Sequence, residues 1–216
     1  MKKLSILIII ATFLSEGGVA AQRQLEYTFD TTKHYFDTRA VISSGVLMGT
    51  GSLFTFVPGF NDVQVGLRNA IQADGHNKVT FDNVVQYAPL AAPPVLNICG
   101  LNSKNELWKM SLMEGGSYLF GGALLTLAKY GFSVERPDQR ALNSFPSGHT
   151  FTAFVGAEVL RREYGKEYPW IAVAGYTVAT FVAAMRLYND RHWMGDVLAG
   201  AGLAVLSVNL VYWTFE

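Results

Sequence analysis

Cysteine is almost missing from this 216-residue chain, in which Cys99 is the single one. A lone cysteine excludes an intramolecular disulfide framework. It also leaves no cluster of cysteine and histidine with the spacing of a zinc site. The fold must therefore depend on packing, and we expect no metal or other cofactor.

Charge is also scarce. Charged residues make up 16% of the chain and the formal net charge is zero, whereas soluble domains have roughly 25% charged residues. A neutral chain offers no basic surface to attract nucleic acid, so no nucleic-acid partner is expected. Hydrophobic residues, by contrast, make up 50%. This composition favours a membrane protein.

Residues 1–21 have the features of a secretory signal. Two lysines, Lys2 and Lys3, precede an apolar run and small residues that end at Ala21. Cleavage is expected before Gln22, and an uncleaved N-terminal helix is the alternative. Residues 22–39 are predicted to form an exported N-terminal segment, and residues 40–216 a single helix-bundle domain.

Apolar segments that are flanked by charged or aromatic residues occupy most of the rest of the chain: 40–57, 84–101, 110–128, 150–160, 170–185 and 197–213. They predict an all-α fold, a membrane bundle of about five to six helices with small residues at close helix contacts. Segment 40–57 is only marginally long enough to span, so whether it crosses the membrane is open. Residues 61–72 have apolar positions at helical spacing and predict a short amphipathic helix.

Lysine and arginine give a test of orientation. Two short loops that are two crossings apart are basic, with Lys104, Lys109, Arg161, Arg162 and Lys166. Because cytoplasmic loops are enriched in these residues, both loops are expected in the cytoplasm. The turns at 130–150 and 186–196 are then expected on the exported side.

The stretch Pro146-Ser147-Gly148-His149 predicts a site for an oxyanion. Pro146 ends a loop, Ser147 is a good helix N-cap, and the apolar segment that follows is the expected helix. A helix N-terminus presents unpaired N–H groups and a partial positive charge, which suit a phosphate. Gly148 lets a ligand approach the backbone closely. An ordinary capped helix with a solvated His149 is the alternative.

Two further polar groups interrupt the apolar pattern at the same end of the predicted bundle: Lys129 with Arg136-Pro137, and Arg186 with His192 and Asp196. Three cations and a helix N-terminus can clamp a tetrahedral oxyanion. One histidine could then attack phosphorus while the other protonates the departing oxygen. Asp196, one helical turn after His192, is placed to accept its ring N–H. Such a set needs no metal.

These motifs resemble those of the type 2 phosphatidic acid phosphatases, a family related to vanadium haloperoxidases and to secreted bacterial acid phosphatases. The family pattern is lysine, six residues and Arg-Pro; then Pro-Ser-Gly-His; then Ser-Arg, five residues, histidine, three residues and aspartate. The chain departs from it at Met185, where the family usually has serine. The resemblance covers roughly residues 81–216.

The resemblance implies a role for each matched residue. His192 would be the nucleophile that becomes phosphohistidine, Asp196 would orient it, and His149 would protonate the leaving group. The phosphate oxygens would be held by the remaining matched residues: Lys129, Arg136, Ser147, Gly148 and Arg186. The implied fold is an all-helical bundle of the phosphatidic acid phosphatase type 2 or haloperoxidase-like kind.

The sequence therefore predicts a metal-independent hydrolase of the bacterial inner membrane, multi-pass, with its active site facing the periplasm. Its implied substrates are lipid phosphates and diphosphates, such as phosphatidate, phosphatidylglycerophosphate, undecaprenyl diphosphate and the phosphates of lipid A. A lipid phosphotransferase and a periplasmic acid phosphatase for soluble esters are the alternatives within the family. A haloperoxidase and a non-enzymatic anion-binding membrane protein remain as further alternatives.

Overall fold

The computed structural model describes residues 37–215, and within that range the chain forms eight α-helices and no strand. The predicted all-α class is confirmed. The assignments for residues 1–21 and for most of 22–39 lie outside the described residues. The helices are α1 (Thr38–Phe56), α2 (Pro58–Gln72), α3 (Asp82–Val85), α4 (Ala88–Ile98), α5 (Leu107–Phe132), α6 (Gly148–Tyr164), α7 (Pro169–Tyr188) and α8 (Met194–Phe215).

α1 and α2 form a sharply bent pair. The Asp37 side chain caps α1 by accepting a hydrogen bond from the Ala40 N–H at 3.1 Å. Pro58 opens α2, because its fixed φ suits a first helical turn. The two helices are bent by 90° relative to each other, so segment 40–57 does not continue as a straight helix. The predicted amphipathic helix at 61–72 forms most of α2.

Within residues 37–215 two helices are long and apolar enough to cross a membrane, α7 with 20 residues and α8 with 22. At about 1.5 Å of rise per residue, each measures roughly 30 Å, the thickness of the hydrocarbon core. α1 and α2 would provide a third span if the bent pair crosses as one broken element. The described residues thus have the dimensions of a membrane bundle.

α8 is the central helix. Of its 18-residue apolar window, 72% is buried inside the protein, and α1, α5 and α6 pack around it. The backbones of α1 and α8 touch, since a Cβ atom added to Gly51 would stand 2.6 Å from the Gly195 carbonyl oxygen. Small residues therefore set the distance between these two helices, as the sequence predicts.

α6 is buried against the proline-containing helix α4. Two prolines lie inside α4, and the Tyr164 hydroxyl donates a hydrogen bond at 2.8 Å to the carbonyl of one of them, Pro93. A Cβ atom on Gly156 would stand 2.2 Å from the Leu90 nitrogen, so these two backbones also touch. The proline-containing helix is thus held by packing, as proline inside a helix requires.

Loops gather at both ends of the bundle. At one end the Lys104 N–H donates to the Glu163 carbonyl oxygen at 3.0 Å, which joins the α4–α5 loop to the last turn of α6, the two stretches with the predicted basic residues. At the other end the Trp193 indole N–H donates to the Glu135 carbonyl oxygen at 2.8 Å. That bond joins the α5–α6 loop to the α7–α8 loop. The structure therefore pairs the loops as the charge pattern predicts.

Candidate active site

The predicted site residues meet at the second of these ends. Each lies at the end of a long helix or in the loop beside it: Lys129, Arg136, Ser147, Gly148, His149, Arg186, His192 and Asp196. The Ser147 N–H donates to the Asp196 carbonyl oxygen at 2.9 Å. This bond holds the start of α6 against the start of α8, which is the proximity that the motif spacing predicts.

A glycine in α8 permits this approach. A Cβ atom on Gly200 would stand 2.6 Å from the Ser147 carbonyl oxygen, closer than side chains tolerate. A larger residue there would push the start of α6, and with it His149, away from α8. Gly200 therefore sets the distance between the two helix starts.

Asp196 is fully buried, and its carboxylate contacts His192 and two hydrogen-bond donors. Its Oδ2 lies 3.3 Å from His192 Nδ1, 2.5 Å from the Ser144 hydroxyl and 2.8 Å from the Trp193 N–H. With the proton on Nδ1 facing the carboxylate, His192 Nε2 keeps its lone pair. The predicted contact between His192 and Asp196 is present.

Ser144 was missed by the motif comparison, although it lies only two residues before Pro146. Its side chain is 0% exposed, and its N–H donates to the Val134 carbonyl oxygen at 2.9 Å. The hydroxyl also lies 3.5 Å from His192 Nδ1. A buried serine beside a motif is a weak sequence signal, because nothing local indicates its partner 52 residues away.

The imidazole ring of His192 is neutral at pH 7. Burial lowers the pKa of His192 to about 4, and the charges of Lys129 and Arg136 lower it further, while Asp196 acts in the opposite direction. Its exposed fraction is 4%. The ring is therefore a neutral imidazole, which is the nucleophilic form.

His149 faces Asn83, a residue of the short helix α3. His149 Nε2 lies 2.8 Å from Asn83 Oδ1, and because an amide oxygen only accepts, this contact places the ring proton on Nε2. Burial lowers the pKa of His149 to about 4, and Arg186 and His192 lower it further. Unliganded His149 is thus neutral at pH 7.

Arg186 is held by Asp82, the neighbour of Asn83. Arg186 NH1 lies 2.6 Å from Asp82 Oδ2 and 3.4 Å from Asn83 Oδ1. The Asn189 side-chain amide donates to Asp82 Oδ1 at 3.3 Å. Asp82 and Asn83 lie upstream of all three motifs, and no role was predicted for them from the sequence. Their one sequence signal is a polar pair at the edge of an apolar segment.

The remaining cations are tied to the α5–α6 loop. Lys129 Nζ donates to the carbonyl oxygens of Asn143 at 2.6 Å and Ser144 at 3.4 Å. Arg136 Nε donates to Asn143 Oδ1 at 2.9 Å. Both cations therefore have fixed positions beside the two helix starts.

Fewer backbone N–H groups are available to a phosphate at the start of α6 than the sequence predicts. Ser147 does occupy the N-cap position of α6, but its N–H is engaged by Asp196 and its side chain is fully buried, accepting from Thr150 Oγ1 at 3.0 Å. The Ser147 N–H is therefore not available to a phosphate, and a phosphate contact through its hydroxyl stays a prediction. The N–H groups of Gly148 and His149 belong to the first turn, which has no intrahelical acceptors.

Some buried polar atoms of the site lack hydrogen-bond partners. Among the described residues, three buried side-chain polar atoms have no hydrogen-bond partner, and two of them are Arg186 Nε and Asp196 Oδ1. The third, Glu114 Oε1, lies in α5 away from the motifs. Within 37–215 no three histidine, cysteine, aspartate or glutamate side chains are arranged to hold a metal ion. The arrangement offers cationic donors and a neutral histidine to an oxyanion.

Comparison with known families gives a match over the same residues. The sequence model of the PAP2 superfamily matches residues 107–216, just over half of the chain, and this range includes every motif residue. A lipid A 1-phosphatase of Porphyromonas gingivalis is 42% identical over 139 residues, which are 64% of this chain. The chain covers 31% of that protein's length.

Two crystal structures share the fold. LpxE of Aquifex aeolicus superposes with a TM-score of 0.54 and 20% identity, covering 68% of this chain and 93% of its own. A transmembrane PAP2-type phosphatidylglycerolphosphate phosphatase of Bacillus subtilis gives a TM-score of 0.57 and 21% identity, with coverages of 80% and 94%. At these identities the two structures establish the fold alone.

Proposed function

Because the chain belongs to the PAP2 superfamily, we propose that it is a metal-independent phosphatase that hydrolyses a lipid phosphate or diphosphate. Its helical bundle and its family relationship identify it as a bacterial membrane protein. The observation that carries the proposal is the pairing of His192 with Asp196 beside Lys129, Arg136 and Arg186. A neutral imidazole among three cations is suited to attack a bound phosphate.

The first proposed step transfers the phosphoryl group to His192. Its Nε2 lone pair forms a bond to phosphorus, the bond from phosphorus to the lipid oxygen breaks, and His149 gives that oxygen a proton. Unliganded His149 has a pKa of about 4, but a bound phosphate adds negative charge beside it and raises the pKa, so that His149 is protonated in the complex. Asp196 stabilises the positive charge that develops on His192.

The second proposed step regenerates the protein. Neutral His149 takes a proton from water, whose oxygen bonds to phosphorus while the bond to His192 Nε2 breaks and its electron pair returns to the ring. Inorganic phosphate leaves. The three cations and the Gly148 N–H hold the phosphoryl oxygens through both steps, because phosphoryl transfer depends mainly on positioning and charge stabilisation.

The proposed setting is the inner membrane with the site at the periplasmic face. The basic loops at the opposite end support this orientation, because such loops are retained in the cytoplasm. We also propose that residues 1–21 act as a secretory signal and that residues 40–216 form the phosphatase domain. The similarity to a lipid A 1-phosphatase supports a phosphorylated lipid as the substrate. Because this chain covers only 31% of that protein, its own substrate has to be measured.

The decisive experiment measures phosphate release by the full chain in detergent. The substrates are lipid A, phosphatidate, phosphatidylglycerophosphate, undecaprenyl diphosphate and a soluble phosphate ester. We expect hydrolysis of at least one lipid, complete loss in His192→Ala, and a ³²P-labelled intermediate that survives alkali and decays in acid. His76→Ala is the matched control, since His76 stacks on Tyr188 and lies outside the motifs. Full activity of His192→Ala would overturn the mechanism, and transfer to an added lipid acceptor would identify a phosphotransferase.

A further inference from the structure

A second cationic cluster lies beside the proposed phosphate site. Three basic side chains from three different loops converge on one oxygen, Asp138 Oδ2. Arg191 NH1 lies 3.2 Å from it, Lys78 Nζ 3.7 Å and Arg140 Nε 3.9 Å. One carboxylate thus faces three cations, and two positive charges are left in excess.

The exposures of these side chains give the cluster the form of a shallow cup. The Asp138 side chain is 6% exposed, whereas those of Arg191, Lys78 and Arg140 are 29%, 36% and 67% exposed. The carboxylate therefore forms the floor and the cations form the rim. A rim of exposed cations above a buried counter-ion can accept an oxyanion without losing its arrangement.

A nearby ion pair shows that the excess charge is specific to this cluster. Arg68 binds Asp190 with two hydrogen bonds, of 2.7 and 2.8 Å, so that one cation meets one carboxylate in bidentate geometry. That pair leaves no charge in excess. The contacts around Asp138 are longer and more numerous, and they leave donors of Arg140 and Lys78 available to a ligand.

The cluster borders the phosphate site along the chain in two places. Asp138 is two residues after Arg136, and Arg191 directly precedes His192. At about 3.8 Å between successive Cα atoms, these neighbours are within one headgroup's reach. A substrate whose first phosphoryl group faces His192 can therefore bring a second one to this rim.

We propose that Lys78, Arg140 and Arg191 form a second oxyanion subsite, which binds a second phosphoryl group of the substrate while the first is cleaved. The subsite rests on the proposed function and specifies its substrate class, a lipid headgroup with two phosphoryl groups. The two groups are either adjacent, as in a diphosphate, or separated on a sugar headgroup. A lipid with a single phosphoryl group uses the His192 site alone.

The test compares substrates in a Lys78→Ala/Arg140→Ala variant of the full chain. We measure kcat and KM for phosphatidate, for undecaprenyl diphosphate and for lipid A with two phosphates. The expected result is a roughly tenfold fall in the preference for two-phosphoryl lipids over phosphatidate, carried by KM. If the preference falls for undecaprenyl diphosphate alone, the subsite binds the second of two adjacent phosphoryl groups. If it falls for lipid A alone, the subsite binds a phosphoryl group that is separated from the first on the sugar headgroup. Arg39→Ala removes an exposed cation near Asp37 and should leave the preference unchanged.

Three outcomes would overturn the subsite: an unchanged preference, an equal change for all three lipids, or a change in kcat alone. If the wild-type chain hydrolyses none of the lipids, the proposed function fails, and the subsite is then judged by binding. In that case calorimetry compares inorganic diphosphate with orthophosphate. Tighter binding of diphosphate that is lost in the double variant supports the subsite, and equal binding of the two anions refutes it.

Discussion

Both ends of the bundle hold a buried carboxylate near arginine, and the two carboxylates are paired differently. At one end Glu158 Oε1 accepts from Arg161 at 2.7 Å and Asn209 at 2.6 Å, while Oε2 accepts from Arg161 at 2.7 Å and from Tyr176 at 2.5 Å. At the other end Asp196 accepts three contacts through Oδ2, and Oδ1 has no partner among the described residues.

This difference is the one expected between a charge cluster that stabilises the fold and the proposed active site. Desolvating a charge is costly, so a cluster that serves stability must satisfy every oxygen from within. The Glu158 cluster does so and also ties α6 to α7 and α8. In the proposed active site Arg186 Nε is a donor without a partner among the described residues, which suits an external anion, and Asp196 Oδ1 is an acceptor without one. The comparison predicts that substitutions at the Asp196 end mainly lower kcat, whereas substitutions at the Glu158 end mainly lower stability.

The largest effect is expected for Asp196→Asn. An amide can donate toward His192 and thereby favour the tautomer that blocks Nε2, so kcat should fall by about 10²- to 10⁴-fold. The thermal midpoint should fall less than it does for a substitution of Glu158, because Asp196 Oδ1 has no hydrogen bond to lose, whereas both oxygens of Glu158 are paired. Phosphate release and thermal unfolding in detergent measure the two quantities. Retained kcat would break the assignment of this end as the active site.

Glu158→Gln should affect stability at the opposite end. The new amide group meets the donors of Arg161 and Asn209, so the free energy of unfolding should fall by about 2 kcal/mol. The kcat per folded molecule should remain within twofold, since the change lies at the other end of α6. Thermal unfolding and kcat of the folded fraction test this. A large loss of kcat at an unchanged midpoint would contradict the division between the two ends.

Ser144→Ala should have a moderate effect on catalysis. It removes the shortest hydrogen bond to Asp196, at 2.5 Å, while the Trp193 N–H and His192 remain. We expect kcat to fall by about tenfold with KM nearly unchanged. Ser43→Ala is the matched control, because its hydroxyl donates within α1 to the Ala40 carbonyl. If the two variants are equally active, Ser144 has no part in orienting Asp196.

The smallest effect is a pH dependence at the active-site end. Because the pKa of His192 is about 4, kcat/KM should fall to about half at pH 4, where half of the rings are protonated. Stability changes in the same direction. The folded pKa of His192 and His149 lies below the ordinary value of 6.5, so the stability present above pH 6.5 is lost as pH falls towards 4. A half-loss of activity near pH 6.5 would contradict burial of His192.

The sequence was sufficient for the helices and for the motif residues, because both depend on local spacing. Apolar segments predicted every long helix, and the interval between His192 and Asp196 predicted their contact. The boundary between α1 and α2 agrees with the predicted segments 40–57 and 61–72, but the 90° angle between the two helices was not predicted, since apolar spacing does not show how helices are oriented.

Long-range partners of the site were missed for a physical reason. Asp82 binds Arg186 across 104 residues, and Ser144 binds Asp196 across 52. Such contacts arise only when helices pack, and no periodicity in the chain records them. The same reason explains Ser147, whose N–H was expected to face a phosphate and instead meets the Asp196 carbonyl.

Asp196 Oδ2 accepts a hydrogen bond from the Ser144 hydroxyl in the α5–α6 loop. It also contacts residues 192 and 193, which directly precede α8. Its own carbonyl accepts from the start of α6. Detaching any of these segments removes the orientation of His192 and the position of the cations together. Loss of activity should therefore be cooperative. Partial heating should lower the number of active molecules, and the kcat of each molecule that remains folded should stay unchanged.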